Sequence, residues 1–79
     1  MNTVEIYTTP TCTYCKMAKE YFQKNNITYA EYDVSKDRAK AQEMIDKVHQ
    51  LAVPVIVING TPILGFNKPK IDELLGLKH

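Results

Sequence analysis

The stretch Thr11-Cys12-Thr13-Tyr14-Cys15-Lys16 decides the reading of this chain. It holds the only two cysteines of the sequence, separated by two residues. An apolar run, Val4-Glu5-Ile6-Tyr7, precedes it and predicts a strand. A helix-forming run, Lys16-Met17-Ala18-Lys19-Glu20-Tyr21-Phe22, follows it. The pair therefore falls where a strand passes into a helix, with Cys12 in the loop and Cys15 in the first helical turn.

That position carries chemistry. The first backbone N–H groups of a helix lack intrahelical partners and present partial positive charge. A thiolate is stabilised there, so Cys12 is expected to be ionised and nucleophilic near neutral pH. Lys16 adds a cation beside it, and Thr11 flanks it on the loop side as a supporting residue. Residues three apart on a helix lie about 5–6 Å from each other between Cβ atoms. A small adjustment then suffices for a disulfide. Cys12 can attack and Cys15 can resolve.

The rest of the chain bounds the alternatives. Seventy-nine residues predict one small domain over 1–79, with a modest core. The hydrophobic share of 44%, the charged share of 24% and the net charge of +1 favour neither nucleic acid nor an acidic membrane surface. The longest nearly apolar run, Leu51 to Ile58, is too short to span a bilayer. Asn2, Thr3 and Glu5 stand where a signal peptide needs basic and then apolar residues, so a cytoplasmic location is expected. In that compartment a lone close-spaced cysteine pair points to catalysis or metal binding rather than to a permanent staple.

Periodicity supplies the other elements. Residues 3–8 predict the first strand, closed by Thr9-Pro10-Thr11. A helix from Thr13 to Asn25 follows, with Met17, Ala18, Tyr21 and Phe22 on one apolar face. Asn25-Asn26 ends it. Ile27 to Val34 predicts a second strand, and Ser35 or Asp37 caps a second helix over Arg38 to Val48. There Ala41, Met44, Ile45 and Val48 keep the i, i+3, i+4, i+7 spacing. Pro54 opens a third strand, Val55-Ile56-Val57-Ile58, whose unbroken β-branched run predicts burial on both faces. Asn59-Gly60 signals a hairpin returning through Thr61-Pro62-Ile63-Leu64, with Pro62 implying a sheet edge. Asn67 caps a last helix, Lys68 to Leu75, with Ile71, Leu74 and Leu75 inward and Gly76 at its end. The order β-α-β-α-β-β-α predicts an α/β fold, a four-stranded mixed sheet with three helices.

Strand, Cys-x-Tyr-Cys, helix, Val53-Pro54 at a strand start, the Asn-Gly hairpin, Gly65 and a closing helix together resemble the glutaredoxins. More narrowly, they resemble the small glutaredoxin-like proteins of bacteria and archaea, over about Val4 to Leu75. The resemblance implies a thioredoxin-like fold and thiol–disulfide exchange in cell redox homeostasis and electron transport. It makes Cys12 the attacking thiol and Cys15 the resolving one, and places Tyr14 beside the substrate. It makes the Val53-Pro54 bond cis, turning the Val53 backbone toward Cys12 to pair with an extended substrate. Gly65 and Phe66 complete the implied substrate-binding set. Several positions depart from the family pattern. Thr13 replaces the usual proline of Cys-Pro-Tyr-Cys, Ala52 the usual threonine before Val-Pro, and Thr8 a lysine of many glutathione-using members. Gly65-Phe66-Asn67-Lys68 replaces a Gly-Gly-Cys-Asp-type run, so Lys68 stands where an acidic residue would hold the glutathione amine. Lys68 and Lys70 remain as groups to attract a carboxylate at that helix start. The Gly-Phe pair and the short chain also resemble donors that thioredoxin reductase reduces.

The expected activity is thus disulfide reduction on protein or glutathione mixed disulfides. No tightly bound cofactor and no metal are expected. Glutathione or thioredoxin reductase serves as electron source, a disulfide-containing protein as partner, and the chain acts as a monomer without nucleic acid or membrane. The competing expectation is an iron–sulfur cluster module with Cys12 as a ligand, shared between two chains and completed by external thiols. Zinc needs four ligands at recognisable spacing, which His49 and His79 do not provide. Tyr14 is expected at the substrate, Met17, Tyr21 and Met44 in the core. Phe66 reads equally as core and as part of a patch beside the site.

Overall fold

The structure, a computed structural model, describes residues 3–50 and 52–77, so His79 and Leu51 lie outside the described residues. Strands β1 (Val4–Thr8), β2 (Ala30–Asp33), β3 (Val55–Ile58) and β4 (Thr61–Leu64) alternate with helices α1 (Thr13–Lys24), α2 (Arg38–Val48) and α3 (Lys68–Leu75) in the expected order. The sheet runs β2-β1-β3-β4. β1 and β2 are parallel, with Ile6 opposite Glu31 and Thr8 opposite Asp33. β1 with β3, and β3 with β4, are antiparallel. The thioredoxin-like architecture read from the sequence is the one present.

Period-two alternation splits the core between two faces. Ile6, Ile56 and Ile58 point one way and pack with Ala18 and Phe22 of α1 and Ile71 of α3. Tyr7, Val55 and Val57 point the other way, against Met44 of α2. All four β3 residues are buried, as the unbroken β-branched run predicts. Phe22 is fully buried. Truncating such a side chain costs about 3–5 kcal/mol, so it pins α1, and the cysteines at its start, to the sheet.

Local chemistry fixes the ends. Asp37 caps α2 by accepting the Lys40 N–H at 3.1 Å. Asn59 (φ 51°) and Gly60 (φ 86°) both take the left-handed conformation that a two-residue hairpin needs. β4 is an edge strand, with Pro62 exposed opposite Val57.

The structure corrects some expectations. β2 starts at Ala30, not Ile27, because the Ile27 N–H bonds to the Phe22 carbonyl at 2.8 Å and closes α1 instead of joining a ladder. β2 also ends at Asp33 and α1 at Lys24, each one residue short of the expected bound. Met17 is not core: it is 43% exposed. The buried stripe of α1 is Cys15, Ala18 and Phe22, and Met17 sits about 100° around the helix from Ala18. Tyr21 is only partly buried, against the core's rim.

Candidate active site

Cys12 is the N-cap residue of α1, in extended conformation (φ −88°, ψ 111°). Its Sγ accepts the Cys15 backbone N–H at 3.1 Å. The sulfur thus fills the capping role usually taken by a hydroxyl or carboxylate oxygen. The turn is tightened by the Cys12 N–H donating to the Thr9 carbonyl at 3.3 Å and the Lys16 N–H donating to the Cys12 carbonyl at 3.3 Å. Both cysteines are free thiols. Cys12 is partly exposed and Cys15 is buried.

Their environments differ accordingly. Burial, and next the hydrogen bond and charge of Cys12, push the Cys15 thiol from 9.0 up to about 12, against a Thr9 backbone hydrogen bond and the Lys19 charge. Cys15 is therefore a protonated thiol at neutral pH, and Cys12 is the sulfur that solvent reaches.

The Val53–Pro54 peptide is cis, as the resemblance implies. Val53 and Pro54 line a groove of about 580 Å³ together with Tyr14, Leu64, Gly65 and Phe66. Five substrate-binding positions read from the sequence thus share one groove. Tyr14, at 62% exposure, and Leu64, at 45%, offer apolar surface there. Phe66 does both things expected of it: it lines the groove and packs edge-on against Tyr21, centroids 5.9 Å apart. Thr11 and Lys16 are exposed beside the cysteines.

The start of α3 also borders this groove, and its polar groups are engaged. Asn67 Oδ1 accepts the Lys70 N–H at 3.4 Å, and Pro69 has no N–H to give. Lys68 Nζ donates to Asp72 Oδ2 at 3.2 Å, and Lys70 Nζ lies 3.8 Å from Glu73. The lysines expected to attract a carboxylate here remain about half exposed, each beside an acidic residue of α3.

Sequence reasoning missed two groups. Asp72, 1% exposed, accepts hydrogen bonds from the Tyr21 hydroxyl and Lys68, tying α3 to α1 behind Phe66. Burial, then the Asp72 carboxylate, raises the Tyr21 phenol. The Lys68–Asp72 spacing of four was the available signal. The second group is Lys19, one helical turn beyond Cys15 on α1, paired with Glu31 of β2 at 2.8 Å. A depression of about 600 Å³ lined by Asn26, Ile27, Tyr29 and Leu75 includes none of the site residues. Among the described residues no cluster of three metal-ligating side chains occurs, and no helix is long and apolar enough to cross a membrane.

A thioredoxin-like sheet, a Cys-x-x-Cys pair at a helix start and a cis-proline that shares a groove with Tyr14 between the two cysteines are the features of a thiol–disulfide oxidoreductase. Comparison with known proteins agrees. The glutaredoxin family model matches residues 4–63. The chain is 44% identical over 72 residues to an uncharacterised glutaredoxin-like 8.6 kDa protein in a rubredoxin operon of Clostridium pasteurianum, covering 91% of this chain and 96% of that one. It is 37% identical over 65 residues to glutaredoxin 3 of Escherichia coli K12, covering 82% and 78% of the two chains. A mutant of the thioredoxin-like protein BC3987 superposes with a TM-score of 0.90 at 33% identity, over 99% and 100% of the chains. The chain belongs to the glutaredoxin family.

Proposed function

We propose that this chain reduces protein disulfides through a Cys12–Cys15 dithiol cycle and draws its electrons from a protein reductant of the thioredoxin reductase class rather than from glutathione. The observation that carries the cycle is the Cys15 N–H on Cys12 Sγ at 3.1 Å, beside a buried second thiol. Cys12 attacks one sulfur of the substrate disulfide. The substrate S–S bond breaks, a Cys12–substrate disulfide forms, and the first substrate thiolate leaves and takes a proton from water. Cys15, losing its proton to solvent, then attacks the Cys12 sulfur and expels the second thiolate. The chain ends oxidised by two electrons as Cys12–Cys15, and the reductant returns them.

The choice of reductant rests on the α3 start. A free tripeptide needs charged groups to hold its carboxylates and amine, and here Lys68 and Lys70 share their charge with Asp72 and Glu73 while Asn67 accepts from the Lys70 amide. The open part of the groove, Tyr14, Leu64 and Phe66, is apolar and suits a protein surface. Parallel NADPH-coupled assays test this reading, one with thioredoxin reductase and one with glutathione and its reductase, at equal substrate. Faster turnover with thioredoxin reductase is expected. Turnover supported by glutathione alone overturns the choice of reductant. Full activity in Cys12→Ser overturns the cycle itself.

A further inference from the structure

Thr8 and Ile6 of β1 point to the face of the sheet that α1 covers, and Glu31 of β2 stands opposite Ile6 and shares that face. Glu31 Oε2 accepts from the Thr8 hydroxyl at 3.0 Å and from Lys19 Nζ at 2.8 Å. Thr8 is 2% exposed. Lys19 lies four residues beyond Cys15 on α1, directly behind it on the same helix face. The ion pair thus bridges the helix that carries both thiols and the strand beside the one that leads into them. The lysine side chain keeps 28% exposure.

The resolving step has an electrostatic problem that this arrangement answers. Cys15 is 1% exposed, yet it must carry negative charge to attack. Once Cys12 sits in a mixed disulfide, its own charge no longer opposes ionisation of Cys15. Burial still does, while the Thr9 backbone and the Lys19 cation favour the anion. The groups that act on the charge of Cys15 are Cys12 and Lys19 from its own helix and the Thr9 backbone from the β1–α1 loop, with Glu31 of β2 paired to Lys19. From α3, Asp72 is held by Tyr21 and Lys68.

We propose that Lys19, held in place by Glu31, is a positioning residue for the second step: its ammonium steadies the negative charge on Cys15 as that sulfur attacks the Cys12 mixed disulfide. This rests on the dithiol cycle proposed above and adds a residue to it. Because Glu31 partly neutralises Lys19 and solvent screens it, the effect is modest. Losing the cation lowers the thiolate fraction, and the greater nucleophilicity of a thiolate of higher pKa offsets part of that loss, so the net change in rate is about 2- to 4-fold.

Rapid mixing of the reduced protein with excess dithiobis(nitrobenzoate) reads the two steps separately. The first coloured thiolate is released when Cys12 attacks, the second when Cys15 displaces the nitrobenzoate thiolate from Cys12. In Lys19→Met the second phase is expected to slow about 2- to 4-fold at pH 7.5, with its pH profile displaced upward. The first phase should be unchanged, and Lys19→Arg should restore the second. Lys19→Gln, a second neutral side chain, must reproduce the result, which guards against one variant misfolding. An unchanged second phase, equal slowing of both phases, or failure of arginine to rescue overturns the proposal. A wild-type protein whose first phase is no faster than that of a simple peptide thiol overturns the dithiol cycle instead.

Discussion

Raising the pH from 8 to 10 should destabilise the reduced protein through Cys15, and the size of the loss follows from the burial of one sulfur. The thiol ionises at about 12 in the folded chain against an ordinary 9.0 when exposed, chiefly because burial disfavours the anion. A folded-state value above the unfolded one means that the unfolded chain loses this proton first as pH rises. The stabilisation is therefore whole below about pH 9 and is lost between about pH 9 and 12. At pH 10 the unfolded thiol is about nine-tenths ionised and the folded one almost not at all, which removes between about 1 and 2 kcal/mol relative to pH 8. With a urea slope of about 1 kcal/mol/M for so small a chain, the unfolding midpoint drops by about 1–2 M. The assay is urea unfolding at both pH values under strong reductant, on the natural chain and on Cys15→Ala. Alanine keeps the backbone N–H that caps Cys12. Tyr7, pushed up to about 12 by its own burial, is common to both chains and cancels in the comparison. An alkaline loss as large in Cys15→Ala as in the natural chain would refute the assignment to this thiol.

Other outcomes follow from the same contacts. Cys15→Ser should accumulate a covalent Cys12–substrate disulfide, visible as a mass increase under non-reducing conditions, because the second displacement has no nucleophile. Tyr21→Phe removes a donor from the buried Asp72 carboxylate and should cost about 1.5–3 kcal/mol, read by thermal unfolding at pH 7. A double-mutant cycle with Asp72→Asn should show the two losses to be non-additive. Gly60→Ala meets no atom within 4 Å but must hold φ at +86°, so it should cost about 1 kcal/mol by conformation alone, measured by chemical denaturation. Protein purified without oxygen should be colourless and iron-free by elemental analysis. A brown dimer retaining glutathione would instead support the cluster-carrying alternative.

What the sequence disclosed and what it hid divide along physical lines. Cys-x-x-Cys at a helix start, Val53-Pro54 and Asn59-Gly60 are short-range devices whose effect is contained in the neighbouring residues, and each sits where the sequence places it. The two-faced burial of Val55 to Ile58 was equally plain, since only a central strand covered on both sides uses such a run. Long-range pairing was not. Ile27 and Tyr29 have strand composition, but whether they join a ladder depends on where α1 releases its last carbonyl. Met17 departs from the expected core position because an apolar side chain near the edge of a helical stripe can lie on either side of it. Asp72 and the Lys19–Glu31 pair look like ordinary surface charges in sequence. Their partners come from elements 51 and 12 residues away, and only the fold brings them together.

Pro62 has a consequence for how these molecules treat one another in a crowded solution. The residues flanking the Asn59-Gly60 turn form the hydrogen-bonded pair, so position 62 is one at which an amide would point away from β3, toward whatever approaches from outside. Proline has no hydrogen to offer there. An incoming chain seeking to extend the sheet finds the outer rim of β4 interrupted at its centre, and the molecule resists growing into a ribbon of stacked copies.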